Sequence, residues 1–233
     1  MSDPSRGDAK VDAKYYAATP PRSLGERLTI AARDRIYADF LAHCAPRPDD
    51  AILDIGVSDV VNDAANMLER SYPHPERITA LGIGDGREFQ AAFPAVGYRR
   101  IAPNQPLPFA DKSFAIATSN AVLEHVGSPA AQALFVRESI RVARKVFITV
   151  PHRYFPVEHH TAIPLLHYGD ASFAVACRLL GKSEWAQEQN LILMSRRRLR
   201  ALAPPNAVIA RTGLRLGPLS SNLLLFIDAE RTP

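Results

Sequence analysis

Ala51-Ile52-Leu53-Asp54-Ile55-Gly56-Val57-Ser58-Asp59 is the stretch that decides the fold of this 233-residue chain. Apolar residues run into an acid and a glycine, and the residues from Val60 to about Arg70 predict a helix. Glycine lets the backbone turn sharply and approach a ligand without a Cβ clash, and the N-terminus of the following helix offers unpaired N–H groups. The pattern is typical of the first unit of a nucleotide-binding α/β sheet, although any buried strand with a tight turn is similar.

Strands and helices alternate along the rest of the chain. Helices are predicted at 24–44, 87–93, 130–142 and 195–203, and strands at 51–55, 77–83, 97–102, 113–119, 145–150, 207–216 and 222–228. Such alternation indicates βαβ units and a parallel sheet. Because Gly217-Pro218 joins the last two strands, they predict a hairpin. We therefore expect an α/β fold, a Rossmann-like seven-stranded, mostly parallel sheet with an antiparallel C-terminal hairpin and helices on both faces.

The chain is expected to form one domain over residues 24–233, preceded by a flexible polar tail at 1–23. Residues 151–190 are rich in proline, histidine and aromatic side chains. They interrupt the alternation of strands and helices after the fifth strand. We expect them to form an insertion, or lid, over the active-site edge of the sheet.

Composition narrows the class of protein. The net charge of +4 is modest, and 47% of the residues are hydrophobic. The densest basic run, Arg196-Arg197-Arg198-Leu199-Arg200, suits an exposed helix face, so a nucleic-acid partner is not expected. No apolar run reaches the ~20 residues that span a bilayer, so neither is a membrane. Cys44 and Cys177 cannot form a disulfide framework, which favours a reducing, cytoplasmic location.

Two further segments carry a family resemblance. Leu107-Pro108-Phe109-Ala110-Asp111-Lys112-Ser113-Phe114 and Ser119-Asn120-Ala121-Val122-Leu123-Glu124-His125-Val126 are similar to the Leu-Pro-Phe, Asp-x-Ser-Phe and Leu-Glu-His pattern of class I S-adenosylmethionine-dependent methyltransferases of the type 11 group. Asp54-Ile55-Gly56 is placed like that family's first glycine-rich motif. Residues 146–161 resemble a bacterial subgroup with an aromatic, histidine-rich loop after the fifth strand.

The resemblance implies that S-adenosyl-L-methionine binds where the parallel strands end. Gly56 is expected to let the backbone pass close to the cofactor. Asp54 is expected to orient the loop or contact the methionine amino group, unless it only caps backbone N–H groups. Asn120 and Leu123 are expected to line the cofactor slot.

Several positions depart from the family pattern. Ser58 and Val60 stand where the family has its second and third glycines. Gly84 stands at the position of the acid that binds the ribose, and Pro103 at that of the acid that faces the adenine. Ala115 replaces the acid that follows the Phe of strand four. Ser58 adds a side chain to the cofactor loop, Asp85 could serve the ribose after a slip of one residue, and Asn104 could replace the adenine contact. These departures leave open a second interpretation, a catalytically inactive methyltransferase-like protein that binds a ligand or partner.

Histidines crowd the loop after the fifth strand. His160 and His152 are the preferred general-base candidates, with Glu158 as an orienting partner and His125 as a third candidate. Each could instead make a structural hydrogen bond, and a base is optional when alignment suffices. No metal is expected at Glu158, His159 and His160, because neighbouring side chains on an extended segment point to opposite faces.

The sequence therefore predicts a methyltransferase that acts on a small molecule. The methyl acceptor and the oligomeric state stay open, because methyltransferase folds accept many substrates through different loops. A nicotinamide enzyme is a weaker alternative. Its fingerprint needs Gly-x-Gly-x-x-Gly and an acid ~20 residues later, and only Gly56 fits the opening.

Overall fold

The architecture follows from a computed structural model that describes residues 24–61 and 65–230. Seven strands form one sheet in the order β3-β2-β1-β4-β5-β7-β6. Strands β1 to β5 pair in parallel, and β7 runs antiparallel to β5 and β6. The predicted fold class is confirmed. The strands are β1 (Ile52–Ile55), β2 (Ile78–Gly82), β3 (Gly97–Arg100), β4 (Phe114–Asn120), β5 (Ala143–Pro151), β6 (Val208–Leu216) and β7 (Leu219–Asp228).

The helices in the described residues are α1 (Leu24–Cys44), α2 (Met67–Ser71), α3 (Arg87–Ala92), α4 (Pro129–Val142), α5 (Asp170–Leu179) and α6 (Arg196–Leu202). The prediction of a helix from Val60 was wrong in its start, since α2 begins only at Met67. The Asn66 side chain accepts a hydrogen bond from the Ser58 N–H and donates one to the Ser58 carbonyl, which ties the Ser58 backbone to the residue before α2. Residues 62–64 and the predicted tail at 1–23 lie outside the described residues.

Side chains alternate in direction along the buried strands, so each face of the sheet has its own hydrophobic core. Ile52 packs with Ile36 and Phe40 of α1, whereas Leu53 packs with Val142 of α4. Because successive side chains of a strand point to opposite faces, Asp54 lies on the same face as Ile52. This places its carboxyl group between the sheet and the N-terminal helices.

Residues 151–190 build a small core of their own around Phe173, Cys177 and Trp185. Phe173 therefore serves as core, whereas Tyr154 and Tyr168 stay exposed. Cys44 and Cys177 are both free, buried thiols. None of the helices in the described part of the chain combines the length and the apolar character that crossing a membrane requires.

The two outer strands of the sheet are rich in arginine. Exposed Arg99 and Arg100 lie on β3, and exposed Arg211 and Arg215 lie on β6. The pairing of β6 with β7 also shifts register between Thr212 and Arg215. Both outer strands thus combine charge with short or irregular pairing.

Candidate functional site

A cavity of about 290 Å³ opens at the carboxyl ends of the parallel strands. Its walls come from the loops after β1, β2, β3 and β4, with α4 and Trp185 beside them. This is the point where the strand order reverses around β1, the place where open α/β sheets bind ligands. Of the predicted site residues, the cavity wall contains Gly56, Ser58, Asn104, Asn120 and His125.

Gly56 closes the turn after β1. Its N–H donates to the Leu81 carbonyl at 2.8 Å, and its φ of +95° is one that side-chain-bearing residues rarely adopt. A Cβ placed there would lie 2.4 Å from Cγ2 of Val122. The loops after β1 and β4 therefore meet at this position without room for a side chain.

Ser58 stands at the position of the second glycine and still lines the cavity. Its hydroxyl accepts a hydrogen bond from the Val60 N–H at 3.0 Å, and Asn66 binds its backbone on both sides. The serine hydroxyl is thus used to shape the loop. The departure from glycine is accommodated by a local hydrogen-bond network.

Asp54 does not line this large cavity. It lines an adjoining cavity of about 50 Å³, whose wall also includes Gly56, Ser58 and Asn120. Burial raises the pKa of Asp54 to about 6. Burial, together with the charge of Asp54, raises the pKa of Glu69 on α2 well above its ordinary value. Two carboxyl groups that resist ionisation thus lie together directly behind the cofactor loop.

Glu69→Gln is expected to stabilise the protein by about 1–3 kcal/mol at pH 8 and by little at pH 4. An acid with a raised folded pKa costs nothing while protonated, and stability falls as pH rises from the ordinary carboxyl range through about 6, the raised pKa of Asp54. Urea unfolding across this window would measure the difference. The same change at exposed Glu88 serves as the control, and equal slopes for both variants would contradict the assignment.

Asn104, Asn120 and Leu123 have different surroundings. Asn104 has a φ of +57° and is exposed on the cavity rim. The Asn120 side-chain oxygen accepts a hydrogen bond from the Thr149 hydroxyl at 2.6 Å, which fixes its orientation. Leu123 is fully buried in the core between the sheet and α4, and it does not line the cavity.

Three predicted residues form a hydrogen-bonded chain that ends at the cavity. Glu158 Oε1 lies 2.7 Å from His160 Nδ1, and His160 Nε2 lies 3.0 Å from His125 Nε2. His125 Nδ1 in turn lies 2.7 Å from the Asn190 carbonyl oxygen. Only His125 of the three lines the large cavity. His160, from the loop after β5, is therefore connected to the cavity wall by its hydrogen bond to His125, from the segment after β4.

The three hydrogen-bonded side chains differ in the direction of their pKa shifts. Burial disfavours the ionised Glu158, but the His160 charge and hydrogen bonds from His160 and Thr161 hold the pKa of this carboxyl below its ordinary value. Burial lowers the pKa of His160, but the charges of Glu158 and Glu124 outweigh it, so the net shift is upward. Burial and the neighbouring His160 lower the pKa of His125 to about 3. A proton in this pair therefore belongs to His160.

His152 lies apart from this chain. Its Nδ1 donates to the Ser220 carbonyl at 3.2 Å, and it does not line the large cavity. Nε2 of His167 similarly donates to the Phe155 carbonyl at 2.8 Å. Burial lowers the pKa of His159 to about 4. His152 and His167 therefore have the surroundings of groups that hold the loop after β5 in place.

The arrangement is similar to that of several solved structures. One is a SAM-dependent methyltransferase from Methanosarcina mazei, with a TM-score of 0.52 and 15% identity over 80% of this chain and 93% of that one. A second is the magnesium protoporphyrin IX methyltransferase from Synechocystis PCC 6803 with bound SAH, with a TM-score of 0.57 and 13% identity over 95% and 94% of the two chains. The chain has the class I S-adenosylmethionine-dependent methyltransferase fold.

Another similar structure carries a description that names a different activity. A protein from Rhodobacter sphaeroides, described as a candidate Zn-dependent alcohol dehydrogenase, reaches a TM-score of 0.58 at 11% identity over 97% and 98% of the two chains. At such identities, likeness to a methyltransferase fold reports the fold and not the activity. No protein-family model matches the chain, and no curated protein matches its sequence.

At the end of β2, the residues expected to bind the ribose do not lie at the cavity. Asp85 is exposed, pairs with Arg87 at 3.2 Å and does not line the cavity. A Cβ at Gly84 would lie 1.9 Å from Asp59 Oδ2, so the Asp59 carboxylate already occupies the space in which an acid at 84 would begin. Asp59 Oδ1 is buried and has no hydrogen-bond partner among the described residues.

Arg33 on α1 is a site residue that the sequence reasoning missed. It is 8% exposed and lines both the large cavity and the one beside Asp54. Its spacing of three and seven residues from buried Ile36 and Phe40 puts it on the apolar face of the helix. An arginine in an apolar stripe was the available signal, but Arg33 is one of three arginines on this helix, with Arg27 and Arg35.

Proposed function

We propose that the protein is a methyltransferase of the type 11 group, located in the cytoplasm, that transfers a methyl group from S-adenosyl-L-methionine to a small molecule. The observation that carries the proposal is the cavity at the switch point of the sheet, reached by the backbone turn at Gly56. Its apolar walls at Leu81, Ile101 and Phe135 suit an adenosine ring, and its polar groups lie at the β1 and β4 ends.

The cofactor residues follow from the walls of the cavity. Gly56 and Ser58 would place backbone against the cofactor, and Asn104 and Asn120 would offer amide groups. Arg33 supplies a positive charge for the carboxylate of the methionine part. Asp54 would act from the adjoining cavity. Leu123 and Asp85 do not contact the cofactor in this proposal.

The reaction needs alignment more than proton transfer. Both ring nitrogens of His125 are engaged, one with Asn190 and one with His160, so neither faces the cavity as a base. A sulfonium is already activated for methyl transfer, and a good nucleophile held in line requires no further catalyst. We therefore propose that the cavity positions the two reactants, while His160 and Glu158 hold His125 in its wall and His152 holds the loop after β5.

Calorimetric titration with S-adenosylmethionine and its demethylated product tests the proposal. We expect micromolar binding, and we expect Arg33→Gln to weaken it by about 10–100-fold, because hydrogen bonds to charged groups contribute about 1.5–3 kcal/mol. Arg35→Gln, exposed on the same helix, is the matched control and should bind like wild type. Equal affinities of all three proteins would remove Arg33 from the site.

The alternative function is a methyltransferase-like protein that binds a ligand or partner without catalysis. It is favoured by one observation, the exposed Asp85 at the end of β2, which leaves Glu138 as the only carboxylate among the described lining residues. Glu138 is already engaged by Leu107 and Arg141. Absence of a heat signal at millimolar cofactor, with the protein folded, would support this alternative and overturn the first.

A further inference from the structure

A second cluster of polar groups lies at the wall of the large cavity. His125, His160 and Glu124 each offer one potential ligand atom, and these atoms all lie within 4.8 Å of one another. The two histidine Nε2 atoms are 3.0 Å apart, and Glu124 Oε1 is 3.8 Å from the His125 Nε2. Methyl transfer by alignment uses none of the three.

The hydrogen bonds of the two imidazole rings determine where their protons lie. His125 Nδ1 faces the Asn190 carbonyl, which can only accept, so this nitrogen carries hydrogen. His160 Nδ1 faces the Glu158 carboxylate, which also accepts, so it too carries hydrogen. In the neutral rings both Nε2 atoms therefore present lone pairs to each other. A short contact between two lone pairs requires a shared cation.

Glu124 distinguishes a metal ion from a proton. It is 1% exposed, and neither carboxylate oxygen has a hydrogen-bond partner in another described residue. A proton shared by the imidazoles would satisfy both rings and put a positive charge near Glu124, but it would give neither buried carboxylate oxygen a hydrogen bond. An ion coordinated by all three groups satisfies them together.

The distances and surroundings fit coordination. Zn–N bonds of about 2.0–2.1 Å in a tetrahedron put neighbouring ligand atoms roughly 3.3–3.4 Å apart, between the two distances found here. The bonds from His125 to a carbonyl and from His160 to Glu158 are the outer contacts that orient ligating histidines in metal sites. A cavity of about 10 Å³ beside Glu124 and His160 adds space close to that of one water molecule.

We propose that His125, His160 and Glu124 bind a divalent transition-metal ion of the zinc type. Two imidazole nitrogens and one carboxylate oxygen are a ligand set that suits zinc and its neighbours. Because His125 also lines the large cavity, the ion lies at the cavity wall, where further coordination positions can take water or an oxygen of a bound molecule.

Metal titration of the untagged full-length protein tests this site. After dialysis against a chelator, the protein is titrated with Zn²⁺ in competition with a chromophoric chelator, and with Co²⁺ followed by visible absorption. We expect one ion per chain and intense Co²⁺ bands. Glu124→Gln and His160→Gln are each expected to weaken binding by at least ~100-fold, the upper end of the loss seen when only outer contacts are removed.

Two histidines outside the cluster provide the controls. His152→Gln removes a buried histidine and His74→Gln a partly exposed one, and both variants should bind the ion like wild type. A folded wild-type protein that binds no stoichiometric ion would overturn the proposal, as would affinities unchanged in both cluster variants. The cofactor titration is carried out without metal, so its outcome is independent of this one.

Discussion

Gly56→Ala is expected to destabilise the protein by about 2–5 kcal/mol and to weaken cofactor binding by more than about tenfold. The left-handed backbone costs a side-chain-bearing residue about 1–2 kcal/mol, and an extra methyl in a packed site costs about 1–3 kcal/mol more. Both terms apply, because φ is +95° and the new Cβ would lie 2.4 Å from Val122. Chemical denaturation measures the first effect and calorimetric titration the second.

The two causes can be separated within the same chain. Gly181 has a φ of +69°, but a Cβ added there would meet no heavy atom within 4 Å, so Gly181→Ala should lose only the backbone term. Adding Val122→Ala to Gly56→Ala should recover the steric term and leave the backbone one. Cofactor affinity equal to wild type in Gly56→Ala would show that the turn does not touch the ligand.

Arg141→Met is expected to destabilise the protein by about 3 kcal/mol, because hydrogen bonds that involve a charge contribute about 1.5–3 kcal/mol each and do not add fully. The Arg141 guanidinium donates to the Leu107 and Phe109 carbonyls, each at 2.8 Å. It also pairs with Asp111 at 2.9 Å and with Glu138 at 2.8 Å. Loss of all four contacts leaves the largely buried Glu138 carboxylate without its cation.

Arg137, exposed on the same helix, provides the control, and Arg137→Met should change the unfolding free energy by less than about 0.5 kcal/mol. The hydrogen bond from Arg141 lowers the pKa of Glu138. The stabilisation is therefore present above the ordinary carboxyl pKa and lost as pH falls through the lowered one. Equal stability of both variants at neutral pH would contradict the role given to Arg141.

The Arg141 contacts explain why the Leu-Pro-Phe and Asp-x-Ser-Phe segment predicted the fold so well. Its backbone carbonyls and Asp111 are tied to α4, and Lys112 donates to carbonyls at the end of that helix. Leu107 and Phe114 fill the core between α4 and the sheet. Because many contacts constrain this segment at once, its sequence pattern predicts its structure. The short run from Ile52 to Gly56 is predictable for the same reason.

The site was less predictable because its contacts join distant parts of the chain. The space expected for an acid at the end of β2 is filled by Asp59, which comes from the loop after β1. Arg33 reaches the cavity from a helix that precedes the sheet in sequence. His125 and His160 meet only because the loop after β5 folds back over the segment after β4. Local spacing carries no information about such encounters.

The arginines on β3 and β6 affect how this molecule can associate with another copy. A foreign strand added to either margin would have to desolvate guanidinium groups, and the irregular pairing of β6 offers it no even ladder. Continuation of the sheet from one molecule into the next is therefore disfavoured on both sides. We therefore expect any dimer of this protein to form through its helices or loops.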